Sequence, residues 1–247
     1  MKKIIIPISL GVICLSFSLL PANETNPETY NSAPVAITNG PSDSVRTTVE
    51  IVSSLYNTLH LNDYGLSDEA FFYAWKGYQR LLELKKIAKS GLLSICDFSQ
   101  SSKHKRFYVI DIENKKVIIN TYVAHGRNSG GEYATKFSNR PESLQSSLGF
   151  YITTKTYTGS HGLSLKIIGV DKGFNDKALN RNIVIHGSEY VGADRVRSGA
   201  TMGRSWGCPA VPKKESSKII KAIKNGSCFF IYHPGKNYLL GSKILNG

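Results

Sequence analysis

Phe107-Tyr-Val-Ile-Asp-Ile-Glu-Asn-Lys-Lys-Val-Ile-Ile-Asn-Thr-Tyr-Val-Ala124 is where the chain changes its period. Its β-branched and aromatic residues fall into two runs, 108–112 and 116–124, with Glu113-Asn-Lys115 as the bend, which predicts strand, turn, strand. Downstream, residues 149–157, 163–170, 182–185 and 228–232 have the same composition and are separated by Gly, Asn and Asp; residues 92–98 form one more apolar, β-like run. Upstream the spacing is helical. Val49, Ile51, Val52, Leu55 and Leu59 recur at threes and fours, and Ser67-Asp-Glu69 opens a second run through Phe71, Phe72, Trp75, Tyr78, Leu81, Leu82 and Leu84. Ser67 is the expected N-cap, and the aromatic stripe is expected to be core. Residues 213–224 read as a short amphipathic helix. The expected class is α+β: a helical pair at 45–91, a mainly β domain at 92–236 and a C-terminal tail at 237–247.

The 247 residues are 41% hydrophobic and 20% charged, which excludes a wholly disordered, collagen-like or coiled-coil chain. Lys and Arg number 31 against 18 acids, a net charge of +13 that favours an anionic partner and says nothing about fold. Met1-Lys2-Lys3, the apolar residues 4–20 and small residues near Ala22 read as a secretory signal peptide over 1–22, followed by a Pro-, Asn- and Ser-rich tether over 23–44. The expected location is therefore outside the cytoplasm, in the periplasm or cell envelope, and membrane proximity requires the segment to be retained. Ile13 stands before Cys14 where a lipidation signal wants a small residue. Cleavage after Ala22 leaves Cys96, Cys208 and Cys228, an odd number, so at least one thiol stays unpaired. Cys96 and Cys228 lie in apolar runs and read as small buried hydrophobes, with a disulfide between them left open.

Cys208 differs, since it stands in the glycine-rich loop Gly203-Arg-Ser-Trp-Gly-Cys-Pro-Ala210, downstream of a strand that runs into His186-Gly187-Ser188. A histidine at a strand end and a cysteine behind a glycine suit a base and nucleophile on neighbouring loops of a rigid sheet. A free thiol is mostly protonated at neutral pH, with a pKa of about 8.5, so an imidazole is the usual means of supplying thiolate. Gly207 allows close backbone approach and turns amide N–H groups inward to hold an oxyanion.

Ile185-His186-Gly187 followed by Ser205-Trp206-Gly207-Cys208 resembles the L,D-transpeptidase catalytic-domain family, the cysteine enzymes of bacterial peptidoglycan. With residues 123–130, 137–139, 146–151 and 203–211, the chain is similar to the divergent subgroup described as the murein L,D-transpeptidase catalytic domain, over roughly residues 90–235. The resemblance implies a β-sandwich or open barrel. It implies Cys208 as nucleophile, His186 as base, and the Gly187 carbonyl holding the other ring nitrogen. Backbone N–H groups of Trp206, Gly207 and Cys208 would form the oxyanion hole. Arg204, Ser205, Tyr190, His125 and His161 would line the substrate. The substrate implied is a peptidoglycan tetrapeptide stem, and the reaction needs no metal or organic cofactor. Two departures stand out. His186 and Cys208 are 22 positions apart, and Trp206 and Pro209-Ala210 stand where basic residues are common.

His125, His161 and His186 each precede a glycine, but their spacings of 36 and 25 residues lack the short pair of most zinc sites. Hydrogen bonding within a loop is the more ordinary fate of the first two. No aromatic-interleaved basic motif suggests nucleic acid. The open alternatives are an L,D-carboxypeptidase using water as acceptor, a non-catalytic peptidoglycan-binding protein and a zinc hydrolase.

Overall fold

Period-2 patterning produces eight strands, and their order in space is β3-β2-β1-β8-β4-β5-β6-β7 in one mixed sheet. The strands are β1 Leu92–Asp97, β2 Phe107–Asp111, β3 Lys116–Thr121, β4 Gly149–Gly159, β5 Gly162–Gly169, β6 Val184–Ser188, β7 Ala210–Pro212 and β8 Cys228–Tyr232. The computed structural model describes residues 43–202 and 204–247. The expected signal peptide at 1–22, nearly all of the expected tether at 23–44 and Gly203 lie outside them. Pairs β1–β8 and β6–β7 are parallel, and the others are antiparallel. The chain beyond β3 reaches the opposite edge of the sheet, where the Ala124 N–H donates to Ala210 O at 2.8 Å, so the sheet curls into a nearly closed barrel.

Helices α1 Asp43–Thr58 and α2 Asp68–Glu83 follow the 3.6-residue spacing. Ser67 caps α2, its Oγ accepting from Ala70 N–H, and that hydroxyl also donates to the buried Asp97 at 3.1 Å, which ties the helix start to the end of β1. Phe71, Tyr78 and Leu81 are buried in the core shared with Phe150, Phe229 and Phe230 of the sheet. Leu84, one residue past α2, is exposed, as are Val49 and Ile51 on α1. The apolar spacing of α1 thus covers more of its circumference than the core does. Cys96 and Cys228 are buried free thiols on the parallel β1–β8 pair, where Cys96 stands opposite Ile231 and Cys228 opposite Leu93, so the two are out of register.

Three other elements depart from the sequence reading. The loop between His186 and Cys208 contains helix α3 Ala193–Arg197, whereas α4 Lys213–Ile223, directly after β7, forms where the amphipathic spacing placed a helix. Residues 237–247 are not a loose tail. They form most of α5 Lys236–Gly241 and all of α6 Lys243–Asn246, with Tyr238, Ile244 and Leu245 buried. His186 lies inside β6, because pairing with β5 and β7 extends the strand through Ser188.

Candidate active site

Strands β6 and β7 run parallel with His186 opposite Ala210, which brings the loop carrying Cys208 beside the start of β6. Cys208 Sγ accepts from the Val184 N–H at 3.5 Å and donates to Asn182 O at 3.7 Å; among the described residues no hydrogen bond joins it to His186. Burial pushes its thiol up, against the pull of the Val184 N–H and the Arg181 guanidinium. His186 is buried, and its Nδ1 contacts Gly187 O at 3.1 Å. A carbonyl only accepts, so Nδ1 carries the hydrogen and Nε2 of the neutral ring keeps a lone pair, the form a base requires. Burial lowers its pKa, the Gly187 bond opposes that, and His161 and Lys213 add to the lowering. Gly187 itself admits no side chain: a Cβ there would lie 2.5 Å from Ser216 Oγ of α4.

The Cys208 turn is held by hydroxyl groups. Ser205 Oγ accepts from the Gly207 N–H at 3.1 Å and donates to Cys208 O at 2.6 Å, while Ser146 Oγ donates to Gly207 O at 3.2 Å. Gly207 has φ +121, and a Cβ would meet Gln145 O at 2.7 Å, so both conformation and space require glycine. This geometry corrects the expected oxyanion hole. The Gly207 N–H is already engaged by Ser205, whereas no described residue engages the N–H groups of Trp206 and Cys208. The Gly207 carbonyl and Cys208 N–H belong to one planar trans peptide, so fixing the carbonyl on Ser146 aims the Cys208 N–H the opposite way.

His161, on the exposed β4–β5 turn, stacks on His186 with ring centroids 4.2 Å apart and lies beside the site. His125 does not line it. It is 1% exposed, with Nδ1 2.8 Å from Arg106 Nη2 and Nε2 3.4 Å from Gly130 O. Arg106 only donates, so Nδ1 is the bare nitrogen, and burial together with that guanidinium lowers the imidazole to about 4. The substrate-lining expectation for His125 therefore gives way to a structural one: its carbonyl accepts from Ser205 N–H at 3.0 Å, linking the β3 extension to the cysteine loop. Tyr190 is half-buried and within electrostatic reach of Cys208; its phenol is pushed up first by burial. Trp206 is 74% exposed.

Arg204 donates to Gly130 O at 3.0 Å and, with Arg127, Arg195, Met202 and Trp206, lines a cavity of about 260 Å³ that no acidic residue enters. The sequence reading gave Arg127 and Arg195 no role, because one lies in the segment after β3 and the other in α3, and only the fold brings them to one cavity. Arg181, against the Gly207 turn, was missed for the same reason. A larger cavity, about 590 Å³, lies between α1, α2 and α6, but its lining of Ile51, Phe72, Trp75, Arg80 and neighbours contains neither cysteine nor histidine. No group of three or more potential metal-ligating side chains assembles among the described residues.

The chain is similar to an L,D-transpeptidase from Mycobacterium smegmatis, with 10% identity and a TM-score of 0.36, covering 58% of this chain and 59% of that one. It is similar to the helical cell shape determining protein Pgp2 from Campylobacter jejuni, with 15% identity, a TM-score of 0.34 and coverage of 65% and 57%. It is also similar to an L,D-transpeptidase from Stackebrandtia nassauensis, with 16% identity, a TM-score of 0.33 and coverage of 76% and 94%. The chain thus spans about three fifths of the length of the mycobacterial protein. Among curated proteins, none matches the chain. The family described as L,D-transpeptidase catalytic domain matches residues 62–232, which include α2, every strand and the His186–Cys208 pair, and the chain belongs to that family.

Proposed function

We propose that the protein is a cysteine-dependent L,D-transpeptidase acting on peptidoglycan tetrapeptide stems. The Cys208 S–H proton passes to His186 Nε2, and the sulfur attacks the carbonyl of the meso-diaminopimelate residue. The C–N bond to the terminal D-alanine breaks, the departing amine takes a proton from His186, and a thioester remains on Cys208. An amine of a second stem then attacks the thioester, forms the crosslink and restores the thiol. The supporting observation is the parallel pairing of β6 with β7, His186 opposite Ala210, which sets the loop bearing a free half-buried thiol beside the strand bearing a histidine whose tautomer leaves Nε2 bare. The Cys208 N–H, with that of Trp206, serves as oxyanion donor. Arg204, joined by Arg127 and Arg195, supplies charge for a stem carboxylate, with Tyr190, His161 and Trp206 at the margins. In this reading the basic chain is exported to the periplasm or cell envelope and held near an anionic wall.

Intact mass after incubation with a tetrapeptide stem tests this directly, wild type beside Cys208→Ala. The expected result is loss of D-alanine through a transient thioester in the wild type and neither in the variant. D-Alanine release without any adduct, unchanged in Cys208→Ala, would sink the reading. Products that are shortened monomers alone would assign water as the acceptor, making the protein an L,D-carboxypeptidase.

A further inference from the structure

Arg181 is a half-buried cation with only neutral partners. Its Nη1 donates to Ser138 O at 2.7 Å and to Ser147 Oγ; its Nη2 donates to Ser143 Oγ at 3.1 Å and to Gln145 O at 2.6 Å. No carboxylate pairs with it among the described residues. The same Nη2 lies 3.3 Å from where a Cβ on Gly207 would stand, so the guanidinium is packed against the residue before Cys208. Burying a charge without a counter-charge is unfavourable, and such groups are normally paired. The ionisable neighbours whose charge bears on Arg181 are Tyr151 and Cys208. Tyr151 is fully buried and burial pushes its phenol up, so it stays neutral. Cys208 is the remaining group able to become an anion.

The geometry points to Arg181 as the counter-ion of the Cys208 thiolate, a positioning residue that favours ionisation of the sulfur through its field. The inference rests on the reading of Cys208 as the nucleophile and adds what that reading lacked, a source of thiolate stabilisation where the sulfur makes no hydrogen bond to His186. The other ionisable group whose charge bears on the sulfur is Tyr190, just past β6; His186 stands on β6, where His161 and Lys213 of α4 act on it. Ionisation moves the S–H proton to His186 Nε2 or to water, and no electrons are transferred.

The test is the pH dependence of Cys208 alkylation by iodoacetamide, followed by mass in wild type, Arg181→Gln and Arg181→Lys. It needs no peptide turnover, so it fails or succeeds separately from the proposed reaction. The expected result is an apparent pKa raised by about one unit in Arg181→Gln, roughly a tenfold loss of thiolate at neutral pH, with most of the shift reversed in Arg181→Lys. An unchanged profile in Arg181→Gln overturns the inference. Equal shifts in both variants also overturn it, because they would assign the effect to the hydrogen bonds rather than to the charge. Cys208→Asp and Cys208→Asn leave Arg181 untouched and remain informative if its variants do not fold. The aspartate, a fixed anion at the same place, is expected to melt higher than the asparagine at neutral pH, and the reverse order overturns the pairing.

Discussion

Two histidines with the same Ile- or Ala-His-Gly surroundings in sequence have opposite electrostatic fates. His186 keeps Nδ1 on a carbonyl and Nε2 bare, whereas His125 keeps Nδ1 bare on Arg106, which fixes it as a neutral structural group. The pH consequence for His125 has a definite sign. Its folded pKa, about 4, is below the unfolded value of 6.5, so its contribution to stability is complete above pH 6.5 and is lost as pH falls towards 4. The shift corresponds to about 3 kcal/mol. Urea denaturation at pH 7 and pH 4.5 is expected to show this loss, and to show much less of it in His125→Asn, which cannot titrate. Ser205→Ala addresses the cysteine turn. It removes one acceptor for Gly207 N–H and one donor to Cys208 O, so thioester formation is expected to slow about tenfold or more while stability falls by about 1 kcal/mol. Equal rates for variant and wild type, read by quenched mass spectrometry, would remove Ser205 from the positioning of the nucleophile.

At the scale of elements, α2 was legible because its cap, its acidic first turn and its apolar spacing agree with one another and with the tertiary packing. Ser67→Ala is expected to cost about 1 kcal/mol by chemical denaturation, since both the cap and the bond to Asp97 go. Gly77 is harder to read. A mid-helix glycine lowers propensity, but a Cβ there would stand 2.0 Å from the Phe150 ring, so the helix sits close to β4 only because no side chain intervenes. Gly77→Ala, which improves propensity, is therefore expected to lower the melting temperature, at a cost of about 1–3 kcal/mol. The strands β4, β5 and β8 were readable from period and turn residues, β8 with its bounds and the other two with ends displaced towards their shared turn or by a residue. β7 was not, because three residues carry too little pattern, and neither was α3, which has no buried residue to impose one.

Across the whole molecule, the C-terminal residues close the structure from a distance. Asp171, after β5, is buried and accepts from Phe150 N–H at 2.8 Å, from Tyr238 Oη at 3.0 Å and from Ser242 Oγ at 2.5 Å. Removing residues 237–247 takes away two of those donors and uncovers the core beneath Ile244 and Leu245. A loss of at least about 3 kcal/mol is expected in urea denaturation, and full stability after truncation would contradict the docking. By itself, the sequence determined the helical pair, the run of strands, the Ser67 cap and the pairing of Ile185-His186-Gly187 with Ser205-Trp206-Gly207-Cys208, because each is carried by local period or by a contiguous motif. Only the tertiary structure decided that His125 is buried on Arg106, that Arg181 stands behind the cysteine turn, that three arginines share a cavity and that the tail is a packed pair of helices. Those outcomes depend on which distant segments the sheet order brings together, and through-space contact between residues far apart in the chain leaves no periodic trace in either segment.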